Sequence, residues 1–216
     1  MGAPEAPPSS PARPQPGHPV IKERFPDTKA LIFDCDGTLV DSLSLYAVAW
    51  PAGLRSTGHA MEASWYLERG GFSGDMLMDA FEREVGQTLD RAKVMEAVWA
   101  AYSAGIDSLA EITAVTAIAR AFHGRLPMAV ASSGPSDFVR LSLKARGLDV
   151  LFDAIVTVED VAAAKPAPDL FLEAARRLGV PPRDCLVFED SIQGLQAAAA
   201  AGCNAIDVRE LMEEAA

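Results

Sequence analysis

The sequence predicts an α/β protein: a Rossmann-like, doubly wound parallel sheet with a small all-helical cap inserted after the first strand. Three observations predict it. Short apolar runs of strand length recur along the chain, with helical patterns between them. The runs are apolar throughout rather than alternating, as strands buried on both faces are. The gap after the first run is too long for one crossover helix.

The elements follow in order. Residues 1–28 read as a disordered tail, because Pro4, Pro7, Pro8, Pro11, Pro14, Pro16, Pro19 and Pro26 punctuate a stretch with almost no apolar anchors. Strands are expected at 29–34, 127–132, 154–157, 184–189 and 203–208. The helix at 136–146 carries Phe138, Val139, Leu141 and Leu143 at near-helical spacing and stops at Gly147. The helix at 169–178 ends with Arg176 and Arg177 before Gly179, and a third runs from 191 to 201 into Gly202. Residues 29–45 and 106–216 make the core domain. Residues 46–105 make the cap, with stripes Leu77/Phe81, Met78/Phe81/Val85 and Val94/Val98/Ala101. Its place in the chain sets it over the carboxyl ends of the strands, where ligands bind in such sheets.

Bulk properties narrow the function. Half of the 216 residues are hydrophobic, enough for a real core, and the formal net charge is −11. So acidic a chain is a poor partner for nucleic acid or an anionic membrane. No apolar run is long enough to span a bilayer, and a signal-peptide pattern is missing. Cys35, Cys185 and Cys203 are odd in number and far apart, so they read as reduced, buried side chains in a cytoplasmic protein. The cap carries no large exposed apolar stripe, and the chain is read as a monomer.

The chemistry-bearing residues cluster at strand ends. The stretch Phe33-Asp34-Cys35-Asp36-Gly37-Thr38-Leu39-Val40-Asp41-Ser42 places two carboxylates two residues apart where the first strand stops. Residues i and i+2 of an extended chain share a face, so Asp34 and Asp36 point into one space. Crowded acids repel unless a cation or a proton sits between them. The neighbouring aspartates also raise the Cys35 thiol pKa, against a nucleophilic role. The second strand delivers Ser132 and Ser133, with Gly134-Pro135 next. Pro135 suits a first helical position, which puts both serines at a helix N-terminus attractive to phosphate. Lys165 stands in a proline-pinned loop before a helix, and the fourth strand ends in Glu189-Asp190-Ser191.

Each feature alone has a plainer reading: a serine cap, a surface lysine, an acidic cap on a helix dipole. Together, in order at parallel strand ends, they form a set for phosphoryl transfer. The hard oxygen ligands suit Mg²⁺, and nothing offers zinc its preferred nitrogen or sulfur.

On Asp34-x-Asp36-Gly37-Thr38, Ser132, Lys165-Pro166 and Glu189-Asp190 with Gly194, the chain resembles phosphatases of the haloacid dehalogenase superfamily across residues 29–208. The resemblance implies a nucleophilic Asp34 that forms an aspartyl-phosphate. It implies Asp36 as general acid and then base, with its backbone carbonyl on the metal. Ser132 and the Ser133 N–H would hold phosphoryl oxygens, Lys165 would neutralise Asp34 and the phosphate, and Asp190 and Glu189 would hold Mg²⁺.

The helical insertion resembles the cap of the β-phosphoglucomutase-like branch. The runs His123–Val130 and Ala205–Arg209 look like those of bacterial fructose-1-phosphate phosphatases. Phe33–Ser42 and Ser133-Gly134-Pro135 are also similar to 6-phosphogluconate phosphatases. Mutases of the branch carry a cap histidine and a cap-loop arginine. Here Tyr46 and the loop Gly70-Gly71-Phe72-Ser73-Gly74-Asp75 take those places, which favours hydrolysis; Arg69 lies beside the loop. Trp50, Trp65, Arg69 and Tyr102 are candidate substrate contacts. The expected function is Mg²⁺-dependent hydrolysis of a small sugar phosphate. The alternatives are a phosphosugar mutase and a non-catalytic module on the same fold.

Overall fold

The structure, a computed structural model, describes residue 21 and residues 24–213. Strand β1 (Ala30–Phe33) and the two-residue β2 (Val40–Asp41) come first. Four helices follow: α1 (Leu43–Arg55), α2 (Ala63–Leu67), α3 (Gly74–Val85) and α4 (Arg91–Ala104). Then come β3 (Ala110–Glu111), α5 (Thr113–Phe122), β4 (Met128–Ala131), α6 (Ser136–Ala145), β5 (Ala154–Val156) and α7 (Asp169–Leu178). The chain ends with β6 (Cys185–Glu189), α8 (Ile192–Ala201), β7 (Asn204–Asp207) and α9 (Val208–Glu213).

The main sheet has the order β5-β4-β1-β6-β7, and every pairing in it is parallel. Its strands are buried on both faces, and their alternation sorts side chains into two cores. Leu31 and Phe33 of β1 join Met128, Val130, Leu186 and Phe188 on one face, under α5, α6 and α9. Phe33 and Phe188 stack there, ring centroids 4.7 Å apart. Ala30 and Ile32 join Ala129, Ala131 and Val187 on the other, under α7 and α8. The small residues let Phe171, Ala174 and Ala198 approach closely.

A third cluster fills the helical insert and takes in Phe138 of α6. The Tyr102 hydroxyl and Ser142 Oγ lie 2.8 Å apart across this boundary, both buried. Gly53 lets α1 pack on α4, since a Cβ there would overlap Val98. Among the described residues, no helix is long and apolar enough to cross a membrane.

Five expected strands are present, and local differences have local causes. Strands β2 and β3 pair antiparallel, Val40 opposite Glu111, as a ribbon too short for alternation to show. Helix α1 starts at Leu43, ahead of residue 46. Pro135 is the residue before α6 rather than its first, because its ψ of 148° is extended. The Val94/Val98 stripe includes partly buried Ala101 and runs on to fully buried Tyr102. Cys203 is half-buried rather than buried, and all three cysteines are free. Residues 1–20 of the proline-rich stretch lie outside the described residues. The packed chain starts before residue 29, with Ile21 buried and Phe25 against the same core.

Candidate active site

The chain leaves the central β1 for β4 on one side and returns to β6 on the other, so β1 and β6 flank the point where the winding reverses. Both end in acids. The Asp34 N–H donates to Phe188 O at 3.0 Å, extending the β1–β6 ladder to the site. A tight loop follows, with the Leu39 N–H on Cys35 O at 2.9 Å and the Gly37 N–H on Val40 O at 2.8 Å. Gly37 has φ +86°, and a Cβ on it would overlap the Asp190 carboxylate, so both backbone and space require glycine.

Lys165 is the hub. Its buried ammonium donates to Asp34 Oδ1 at 2.5 Å and to Glu189 Oε2 at 2.7 Å. The other Glu189 oxygen accepts from the Asp190 N–H, the Ser191 N–H and the Ser191 hydroxyl at 3.2, 3.0 and 2.8 Å. Asp190 Oδ1 accepts from the Thr38 hydroxyl at 2.8 Å. Asp36 turns to a different set: Ser42 Oγ donates to Oδ1 at 2.5 Å and Ser132 Oγ to Oδ2 at 3.4 Å. The Gly134 N–H donates to Ser132 Oγ at 3.0 Å. Ser133 Oγ is buried with no partner among the described residues, an orphan that calls for a ligand.

Charge is out of balance here, with four carboxylates and one ammonium. Burial, then Glu189, raises the Asp34 pKa well above its ordinary value, and Lys165 only partly offsets this. Burial and Glu189 bring Asp190 to about 6, and burial raises Asp36. Burial alone would lower Lys165, but Asp34 and Glu189 more than reverse it and keep the ammonium charged. Burial, then Asp36 and Asp34, raises the Cys35 thiol well above its ordinary value. Asp34, Glu189 and Asp190 bring carboxylate oxygens within 4.8 Å of one another, an all-oxygen set suited to a hard divalent cation.

Asp34, Asp36, Ser132, Ser133, Lys165 and Glu189 all line one cavity of about 60 Å³, roofed by the helical insert. Asp190 meets the cluster from beside it. Of the candidate cap contacts, Trp50 reaches the cavity with Tyr46. Arg69 stacks on Trp65 at 3.8 Å and donates to Trp65 O, and Tyr102 is held by Ser142; none of these three lines it. One expectation is modified: the Ser136 N–H at the start of α6 is already taken by both Glu159 oxygens at 3.1 Å.

A family model for haloacid dehalogenase-like hydrolases matches residues 28–202. The chain belongs to this family. It is 37% identical over 182 residues to fructose-1-phosphate phosphatase YqaB of Escherichia coli, covering 84% of this chain and 96% of that protein. It is 32% identical over 184 residues to hexitol phosphatase A of the same organism, covering 83% and 82%. Among solved structures, CbbY from Rhodobacter sphaeroides in complex with phosphate superposes with a TM-score of 0.73 at 26% identity, covering 82% of this chain and 84% of that one.

Sequence reasoning gives Thr38, Ser42 and Ser191 no role in this hydrolase, although all three lie within or beside its motifs. A hydroxyl beside an acid gives no sequence signal until folding shows which carboxylate it meets. Gly194 gains a physical reason, because a Cβ there would overlap Glu189 Cδ and Oε2. Helix propensity alone makes Gly194→Ala a gain of about 1 kcal/mol. The overlap makes it a loss of about 1–3 kcal/mol instead. Thermal denaturation decides between them; a raised Tm would remove Gly194 from the support of Glu189.

Proposed function

We propose that the chain hydrolyses a small sugar phosphate, of the fructose 1-phosphate or 6-phosphogluconate type, through an aspartyl-phosphate and with Mg²⁺. It is a phosphoric monoester hydrolase, as its family and its phosphatase relatives support. The observation that carries the finer reading is the buried Asp34–Lys165–Glu189 chain facing Asp36 across one cavity.

In this reading an Asp34 oxygen attacks phosphorus as the bond to the leaving oxygen breaks, and Asp36 gives that oxygen a proton. Burial raises Asp36, which supports its carrying a proton at the start, and Ser42 and Ser132 aim the carboxyl. Asp36 then takes a proton from the water that attacks the phosphoenzyme, and Asp34 is released. Ser132 and Ser133 would hold the phosphoryl oxygens, and the orphaned Ser133 hydroxyl supports that role. Lys165 neutralises Asp34 beside the incoming phosphate. Mg²⁺, held by Asp34, Asp190, Glu189 and the Asp36 carbonyl, would supply the remaining positive charge to the carboxylates and the phosphate. Residues 46–105 serve as a cap that excludes water, on the core of 29–45 and 106–216. The three free cysteines support a cytoplasmic setting, and the net charge of −11 is in keeping with a monomer that has no nucleic-acid partner.

The test is phosphate release from fructose 1-phosphate, 6-phosphogluconate and β-glucose 1-phosphate, with Mg²⁺ and with excess chelator. Release in Mg²⁺ that the chelator stops is expected. Release unchanged by the chelator would overturn the metal reading, and isomerisation primed by a bisphosphate would favour the mutase.

A pH dependence follows for the metal-free protein. Asp34 and Asp190 have folded pKa values above their unfolded ones, so between about pH 4 and 6 the folded state binds more protons. Stability therefore falls as pH rises through that window. Added Mg²⁺ is expected to raise Tm more at pH 7.5 than at pH 5, measured by thermal scans with and without the ion. An equal rise at both would remove these carboxylates from the metal site.

A further inference from the structure

We infer that this enzyme selects phosphomonoesters whose leaving alcohol carries no charge, and that it discriminates against a second phosphate or a carboxylate at the far end of the substrate. The inference rests on the phosphatase reading and narrows it. The walls of the cavity are chemically divided. The floor holds all of its ionisable carboxylates together with Lys165, the only cation that lines it among the described residues. The Lys165 ammonium donates to Asp34 and to Glu189, so its charge is committed at the reaction centre.

The roof is aromatic and aliphatic: Tyr46, Trp50, Tyr66, Phe72, Leu77 and Met95. Its polar groups are the hydroxyls of Tyr46 and Tyr66 and the indole N–H of Trp50, none of them charged; burial first, and then Asp36, holds both tyrosines in the protonated form. An anion placed against such a wall loses its hydration and gains no counter-charge. A neutral polyol keeps hydroxyls that tyrosines can bond and C–H faces that aromatic rings can cover.

The adjoining groove points the same way. It shares Gly74, Met95, Ser133 and Pro135 with the cavity and carries Asp75 and Glu159, with no lysine or arginine along it among the described residues. Arg91, the nearest cation to Asp75 at 3.7 Å, donates to Asp79 and Glu82 instead of lining the groove. Arg69, beside the insert loop, is folded back on Trp65. This groove and the roof therefore both disfavour a second negative charge.

The decisive pair of probes is glucitol 6-phosphate and 6-phosphogluconate, which differ at one end by a hydroxymethyl against a carboxylate. The wild-type enzyme with Mg²⁺ is expected to favour the first by at least tenfold in kcat/KM. Calorimetry on the Asp34→Asn protein gives the same comparison as affinities, without turnover. Equal or reversed preference in binding would overturn the inference. A preserved tenfold binding preference with no hydrolysis of either would uphold it while sinking the phosphatase reading. The Met95→Lys variant places a cation where cavity and groove meet, at a partly exposed helical position. It is expected to narrow the preference at least threefold, and an unchanged ratio would show that this wall does not set it.

Discussion

Asp34→Asn is expected to lower kcat by at least about 10⁴-fold while leaving the fold intact, since the proposed mechanism makes Asp34 the nucleophile and an amide cannot take that part. The environment makes this a clean substitution. Asparagine matches aspartate in shape, and burial with Glu189 already pushes Asp34 toward its neutral form. Lys165 keeps its bond to Glu189 at 2.7 Å. One negative charge leaves a cluster of four, so the metal-free variant should melt no lower than the wild type at pH 7.5. Phosphate release and a thermal scan check the two halves. Activity that survives unchanged would remove Asp34 from the chemistry, and a large fall in Tm would mean that its charge holds the fold.

Lys165→Met is expected to have the opposite character: loss of both turnover and stability. Among the described residues, the ammonium is the only positive group bonded to Asp34 and Glu189, and all three side chains are buried. Removing the cation of such a set leaves its buried carboxylates uncompensated and costs about 3–5 kcal/mol. For a chain of this size that is a Tm lower by about 6–20 °C. The pH dependence gives the signature. Asp190 is already at about 6 in the wild type, and without the ammonium the carboxylates rise further. Protonation relieves the repulsion, so the deficit should be largest above pH 7 and shrink toward pH 5. Mg²⁺ should recover part of it. A Tm equal to the wild type's from pH 5 to 8 would mean that the lysine does not offset the buried acids.

The strongest sequence signals lie where local chemistry and chain geometry coincide. The all-apolar runs are strands buried on both faces, because the parallel sheet is covered on each side. Asp34, Asp36, Ser132, Lys165 and Glu189 stand out because they recur together, in order, at the ends of parallel strands, although each alone could be a cap or a surface residue. Less visible is everything fixed by contact across the fold. Ser42 lies six residues from Asp36, yet only the loop geometry brings its hydroxyl to that carboxylate. Glu159 caps α6 from a separate segment 23 residues away. Arg69, placed by sequence beside the cap loop, is captured by Trp65 one helical turn earlier. Helix α5 falls in a stretch to which the sequence pattern assigns no element, although its buried Val115, Ile118 and Ala119 follow the helical period.

Phe138 and Ser142 stand on a helix of the sheet layer, yet one packs among the side chains of the insert and the other bonds Tyr102 within it. The insert is therefore not expected to melt as an independent unit. Heating should give a single calorimetric transition, and slow hydrogen exchange in α4 should track that in α6. A substitution at Tyr102 or Phe138 should then loosen the insert and α6 together.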